Sequence, residues 1–183
     1  MREPTLHRIP RCRCGRSLPR KILALGMLGL GLLGLLALGQ PAPLIVYNAS
    51  ASAPIGFYRV LPAEPIRRGD LVLVRTPDSV RRLAAERDYL PATVPLVKRV
   101  AALRGDTVCA VDRAITIDGR YVAKQLAADR LGRKLPAWTG CRTLAPDDIF
   151  LLMQGVSDSF DGRYFGPIRT SAVIGRLVPL WLQ

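Results

Sequence analysis

Residues 22-ILALGMLGLGLLGLLALG-39 carry no charge and no strongly polar side chain. A helix of that length at about 1.5 Å per residue spans roughly 27 Å, close to the ~30 Å apolar core of a bilayer. Its glycines lower helix propensity in water. In lipid the cost of every unpaired backbone group enforces a helix regardless. Gln40-Pro-Ala-Pro43 ends the run. Beyond it the period changes. Alternating or short continuous apolar runs, divided by turn residues, predict strands over Gly56–Leu61, 69-GDLVLVR-75, 96-LVKRVAAL-103, 106-DTVCAV-111, 148-DIFLLM-153 and 172-AVIGRLVPLW-181. The stretch 114-AITIDGRYVA-123 predicts a hairpin turning on Asp118-Gly119. One helix is predicted over Asp78–Tyr89, capped by Asp78 or Ser79, with Val80, Leu83 and Ala84 on its apolar side. Residues 124–146 read as irregular and polar. The expected fold class is mainly β: one β-rich domain behind a single N-terminal transmembrane helix.

Charge orients that helix. The 183 residues carry a formal +13, unevenly spread. Residues 1–21 hold seven Lys/Arg against one acid, leaving twenty against thirteen for the rest. No charge follows the apolar run until Arg59. The positive-inside rule then makes 1–21 a basic cytoplasmic tail, 22–39 the span and 40–183 an exported domain. A cleaved signal peptide is the alternative, with Ala37-Leu-Gly39 as a small-residue cut site. The run is longer than the 7–15 apolar residues usual for one. The body is exported on either reading. Nucleic acid is not an expected partner, because no basic run is interleaved with aromatics.

Export divides the cysteines. Cys12 and Cys14 fall in the cytoplasmic tail and are expected to stay reduced. Cys109 and Cys141 fall in the oxidising compartment, where a disulfide is the default. It would close a loop of about 30 residues, a contribution of roughly 3–4 kcal/mol in the chain-entropy model.

The one histidine, His7, lies in the tail. The exported domain therefore lacks the parts for a Ser-His-Asp site or a histidine metal site. A nucleophile there needs Lys, a carboxylate or an amine terminus as base. Lysines in the domain are Lys98, Lys124 and Lys134. The last two have polar neighbours. Strand alternation puts Lys98 on one face with Leu96 and Val100, apolar neighbours that would desolvate the amine. A neutral lysine accepts a serine proton; the plain alternative is a strand lysine reaching to water. Two further stretches concentrate polar chemistry: 48-NASASAPIGFYRV-60, with Ser50 and Ser52 in a collar of small residues, and 157-SDSFDGRYFGPI-168, with Asp158, Ser159, Asp161 and Arg163. Taken alone, the second is a tight loop with a local Asp–Arg pair, worth little if exposed.

Together the three stretches resemble the serine/lysine signal peptidase family. Ser52-Ala-Pro-Ile-Gly-Phe-Tyr58 is similar to its nucleophile box, Lys98-Arg99-Val100 with Gly105-Asp106 to its lysine box, and Ser159-Phe-Asp161-Gly-Arg163-Tyr-Phe-Gly166 to its late box. Gly69-Asp70-Leu-Val resembles the intervening strand, and the similarity covers roughly residues 40–181. The form Ser52-x-Pro54-x-Gly56-x-Tyr58, the box Ser159-Phe-Asp-Gly-Arg-Tyr-Phe-Gly-Pro167 and the short chain resemble the conjugative-transfer peptidases of the TraF group within that family, and the single anchor agrees. Ala53 stands where housekeeping members usually carry methionine, and Gly162 where they often have serine.

The resemblance implies a signal-peptidase-like β fold, Ser52 as acylating nucleophile and Lys98 as its base. It implies an oxyanion role for the Ser50 hydroxyl with the Ser52 backbone N–H. Ser159 would orient the lysine, and Asp161 and Arg163 would hold their loop; Asp158 is the alternative essential acid. Ala51 and Ala53 would leave room for a substrate backbone. No cofactor and no metal are implied. The implied partner is a membrane-bound pilin or preprotein substrate at the lipid of a bacterial inner membrane, cut on the periplasmic side and released by water or by cyclisation. A general signal peptidase and a non-catalytic anchored assembly protein on the same fold are the alternatives. Asn48-Ala-Ser50 also spells a glycosylation sequon, discounted for a bacterial-looking chain.

Overall fold

A computed structural model of the chain describes residues 20–38 and 43–183, with side chains omitted for 33 and 35–38. The chain divides into two units, Met1–Pro41 and Ala42–Gln183. In the first lies α1 (Arg20–Leu38). Among the described residues no helix is long and apolar enough to cross a membrane. The predicted span ends at residue 39, which lies outside the described residues, as do His7, Cys12 and Cys14.

The second unit is built from β1 (Ile45–Asn48), β2 (Gly56–Leu61), β3 (Leu71–Val74), α2 (Asp78–Glu86), β4 (Leu96–Ala102), β5 (Thr107–Val111), β6 (Ala114–Ile117), β7 (Arg120–Lys124), β8 (Gly140–Thr143), β9 (Asp148–Leu151), α3 (Gly162–Phe165), β10 (Ile168–Arg169) and β11 (Val173–Leu182). Seven strands pair in the order β1-β2-β11-β3-β4-β9-β10, and four in the order β7-β6-β5-β8. Every pairing is antiparallel.

The centre of the larger sheet is covered on both faces. Leu71 and Leu73 of β3 pack with Ala53, Tyr58, Met153 and Leu177. Val72 and Val74, pointing the other way, pack with Val100, Ile149 and Leu151. A strand buried on two faces needs a continuous apolar run rather than alternation, which is what 71-LVLV-74 supplies. A third cluster, around Val108, Ile115, Phe150 and Leu152, lies under the smaller sheet. Full burial of each such side chain contributes about 1.5–3 kcal/mol.

Several expectations are corrected. The predicted helix stops at Glu86, and its N-cap is Pro77, with no side-chain cap hydrogen bond from Asp78 or Ser79. Residues 124–146 include β8, which pairs with β5. β1 and α3 were not predicted. The Asp118-Gly119 hairpin forms as expected, with both residues at positive φ as the two-residue turn requires. Cys109 and Cys141 occupy paired positions of β5 and β8, with their sulfurs bonded. Arg68-Gly69-Asp70 and Arg104-Gly105-Asp106 both form turns: the Asp70 and Asp106 carboxylates accept the Arg67 and Leu103 backbone N–H groups.

Candidate active site

β4 alternates as its sequence requires. Leu96, Lys98, Val100 and Ala102 are buried while Arg99 points to solvent. Lys98 is 4% exposed. Its Nζ lies 3.0 Å from Ser52 Oγ and 2.9 Å from Ser159 Oγ. Its pKa is pushed down to about 8. Burial is the main cause; the Asp161 carboxylate opposes it, Arg163 adds to the lowering, and Asp158 opposes it again. Lys124 and Lys134 are exposed.

Ser52 sits in the loop between β1 and β2, partly open to solvent. Ser50 Oγ lies 2.8 Å from Ser52 Oγ and accepts the Ser52 backbone N–H at 3.3 Å. The Ser52 N–H is thus committed to Ser50 Oγ, and the Ser50 hydroxyl lies directly against the Ser52 hydroxyl. The loop's exit is set by Gly56, at φ +152; a Cβ there would sit 2.1 Å from the Trp181 carbonyl oxygen of β11. Ala51 is exposed. Ala53, expected to leave room for a substrate, instead points inward and packs with Tyr58 and Leu71.

The late box closes the other side of the lysine. Asp161 caps the single turn of α3 by accepting the Arg163 N–H. The Asp161–Arg163 pair is buried, not surface: exposures are 0% and 2%. Arg163 Nε donates to Asp161 Oδ1 at 2.8 Å and Nη2 to Oδ2 at 3.1 Å. Its remaining donors reach the Ser157 and Met153 carbonyls at 2.8 and 3.1 Å, and Asp161 Oδ2 accepts the Met153 N–H. Every side-chain nitrogen and oxygen of the pair has a partner, the condition under which a buried ion pair is tolerated. Asp158 lies apart, exposed and paired with Arg130.

Ser50, Ser52, Lys98 and Ser159 thus form one connected hydrogen-bonded chain. Asp161 and Arg163 support it from beneath, and Asp158 is on the rim. The chain opens into a groove of about 950 Å³ whose walls include Leu73, Val97, Leu126, Leu135 and Val156. Three supporting residues were missed in the sequence. Gln125, 2% exposed, donates to the Arg163 carbonyl at 2.7 Å. Trp138 Nε1 donates to the Gly162 carbonyl at 2.9 Å. Asn48, met only as part of a sequon, is buried and bonded to the Ser52 loop.

The family model for signal peptidase, peptidase S26, matches residues 19–181, and the chain belongs to that family. Among individual relatives, the plasmid transfer protein TraF of Escherichia coli is 33% identical over 164 residues, covering 84% of this chain and 92% of the relative. The conjugal transfer protein TraF of Agrobacterium fabrum strain C58 is 35% identical over 144 residues, covering 73% and 80%. A crystal structure of a signal peptidase I from Enterococcus faecalis V583 superposes with a TM-score of 0.35 at 18% identity, over 63% of this chain and 98% of that one, too loosely to inform the site.

Proposed function

We propose that the chain is a membrane-anchored serine endopeptidase with a Ser52/Lys98 dyad that processes the pilin precursor of a conjugative transfer apparatus. The observation that carries this reading is the buried Lys98 amine, 3.0 Å from Ser52 Oγ and held by Ser159. With a pKa near 8, about a tenth of Lys98 is neutral at pH 7. Neutral Lys98 takes the Ser52 proton as Oγ attacks the scissile carbonyl. As charge develops, the Ser52 N–H turns from Ser50 Oγ to the oxyanion, with the Ser50 hydroxyl as the second donor. Protonated Lys98 then returns its proton to the leaving amine, and the acyl group stays on Ser52. Water, activated by the same amine, releases a linear product; attack by the substrate's own amine would give a cyclic one.

The pilin assignment is supported by relatives named for plasmid and conjugal transfer. The family's signal-peptidase description favours a second reading, removal of signal peptides from exported proteins. The anchor reading rests on the apolar run 22–39 and its flanking charge. Exposed Tyr47, Phe57 and Trp181 on β1, β2 and β11, with Phe57 in aromatic contact with each of the other two, support work at a lipid surface. An exported domain would also carry the Cys109–Cys141 bond into an oxidising compartment. The test is co-expression with candidate pilin precursors and mass analysis of the product. Wild-type protein is expected to yield cut pilin, linear or one water lighter, and Ser52→Ala and Lys98→Ala none. Processing by either variant would sink the dyad. Cleavage of general secretory precursors with pilin left intact would select the second reading.

A further inference from the structure

We propose that Asn48 is the positioning residue of the nucleophile loop, setting both Ser52 and its oxyanion donors through a single side-chain amide. The inference rests on the Ser/Lys reading above. Asn48 is the last residue of β1, paired with Gly56 across the neck of the loop. Its side chain is 5% exposed, which removes it from the sequon reading. Nδ2 donates to the carbonyls of Ser50, Ala53 and Pro54 at 2.9, 3.1 and 3.0 Å. Oδ1 accepts the Ser50 N–H at 3.2 Å. The amide's orientation follows from its partners, because a flipped group would aim Oδ1 at three carbonyl oxygens.

Those partners bracket the nucleophile. Ser50 precedes Ser52, and Ala53 and Pro54 follow it. Inside the loop, among the described residues, the backbone adds only Ala53 N–H to the Ser50 carbonyl, at a long 3.3 Å. At the far end, Tyr58 OH shares the Pro54 carbonyl with Asn48, at 2.6 Å, and the Gln183 N–H donates to the Ile55 carbonyl at 2.9 Å. Ser50 is held at both its carbonyl and its N–H by Asn48. The Ser50 hydroxyl in turn touches both Ser52 Oγ and Ser52 N. Asparagine is the side chain that fits: two N–H donors can be shared among three carbonyls, and an acceptor remains for an N–H. Aspartate has the same shape but would place a carboxylate against three carbonyl oxygens. Asn48 bonds the Ser52 loop and Lys98 bonds Ser52 and Ser159, with no hydrogen bond between the two, so Asn48 acts on the nucleophile and leaves the base alone.

A misplacement of about 1 Å at a reacting atom costs on the order of 100-fold in rate. The experiment measures kcat and KM of detergent-solubilised full-length protein on a synthetic peptide spanning the mapped cut in the pilin precursor. Asn48→Ala and Asn48→Asp are expected to lower kcat by about 10- to 100-fold with KM nearly unchanged, and to leave the pH midpoint of the rate near that of wild type. Asn48→Ser keeps one hydroxyl donor, a bond short of Nδ2, and should fall between wild type and Asn48→Ala; it also serves if Asn48→Ala does not accumulate. Combining Asn48→Ala with Ser50→Ala should be less than additive, since both act through Ser50. The proposal is overturned by kcat within twofold of wild type in Asn48→Asp or Asn48→Ser. It is also overturned by a loss confined to KM, or by a pH midpoint climbing towards that of an ordinary lysine, the mark of a loosened core. Ser52→Ala separates the two levels. If Ser52→Ala is inactive while the Asn48 variants behave as wild type, only this inference falls. If Ser52→Ala keeps activity, the Ser/Lys reading falls with it.

Discussion

The loop at 49–55 is largely open to solvent and takes its shape from one neutral amide, Asn48. The loop at 159–163 is buried around a charged pair, Asp161 with Arg163, both within 2% exposure. The two meet at Lys98, which touches a serine from each. Their difference follows from what each side must do. A lysine stays neutral near pH 8 only where water is kept away, so the side that orients it is packed and fully bonded. On the proposed function, a serine that receives a peptide has to face a groove, so its loop is open and held from within. Charge suits the first task and would hinder the second.

The comparison is broken most severely at the point of contact. Ser52→Ala and Lys98→Ala should each reduce processing on the order of 10⁴-fold or more, read as loss of cut pilin with protein still in the membrane fraction. Next is the buried side. Asp161→Ala strands the Arg163 guanidinium at 2% exposure and should destabilise the fold by about 3–5 kcal/mol in denaturant titration. On the open side, Ser50→Ala should lower kcat by about 10²–10³-fold while the melting temperature stays near wild type. An Asp161 variant as stable as wild type, or a Ser50 variant that unfolds, would reverse the assignment of the two loops.

Two smaller effects sharpen the contrast. A Cβ at Gly162 would sit 2.5 Å from the Leu151 carbonyl oxygen and 2.8 Å from Phe150 Cε2. Gly162→Ser is therefore expected to cost about 1–3 kcal/mol, although housekeeping family members often carry serine there. Lys98→Met should stabilise the inactive protein. The folded pKa of about 8 lies below the ordinary 10.5, so between those values the unfolded chain holds the extra proton. Wild-type stability is reduced in full below about pH 8 and recovers as pH rises towards about 10.5. At pH 7 the methionine variant should gain on the order of 3 kcal/mol in denaturant titration, a gain that fades at high pH.

Much of this was legible in the sequence where one strand period decided burial. The placing of Lys98 between Leu96 and Val100 followed from alternation, and β4 shows it. The DG hairpin and the β2 boundaries followed from turn chemistry and pattern. What was missed depends on partners distant in sequence or on direction. All four residues of β8 are exposed, so no periodicity announces it; pairing with β5 defines it. β1 follows directly on Pro43-Leu44 at the end of an apolar region, where a four-residue run carries no boundary of its own. The Asp161–Arg163 spacing was visible, but its burial comes from Met153 and Ser157 folding over it. Asn48 reads as a surface sequon until the loop turns its amide inward.

The central claim is that a desolvated Lys98 is the base for Ser52. The most direct measurement is kcat/KM of the full-length protein on the cut-site peptide from about pH 5 to pH 10. With Lys98 near 8, the rate should fall about tenfold per unit below that value and level off above it. A rate flat from about pH 9 down to pH 5 would contradict the account.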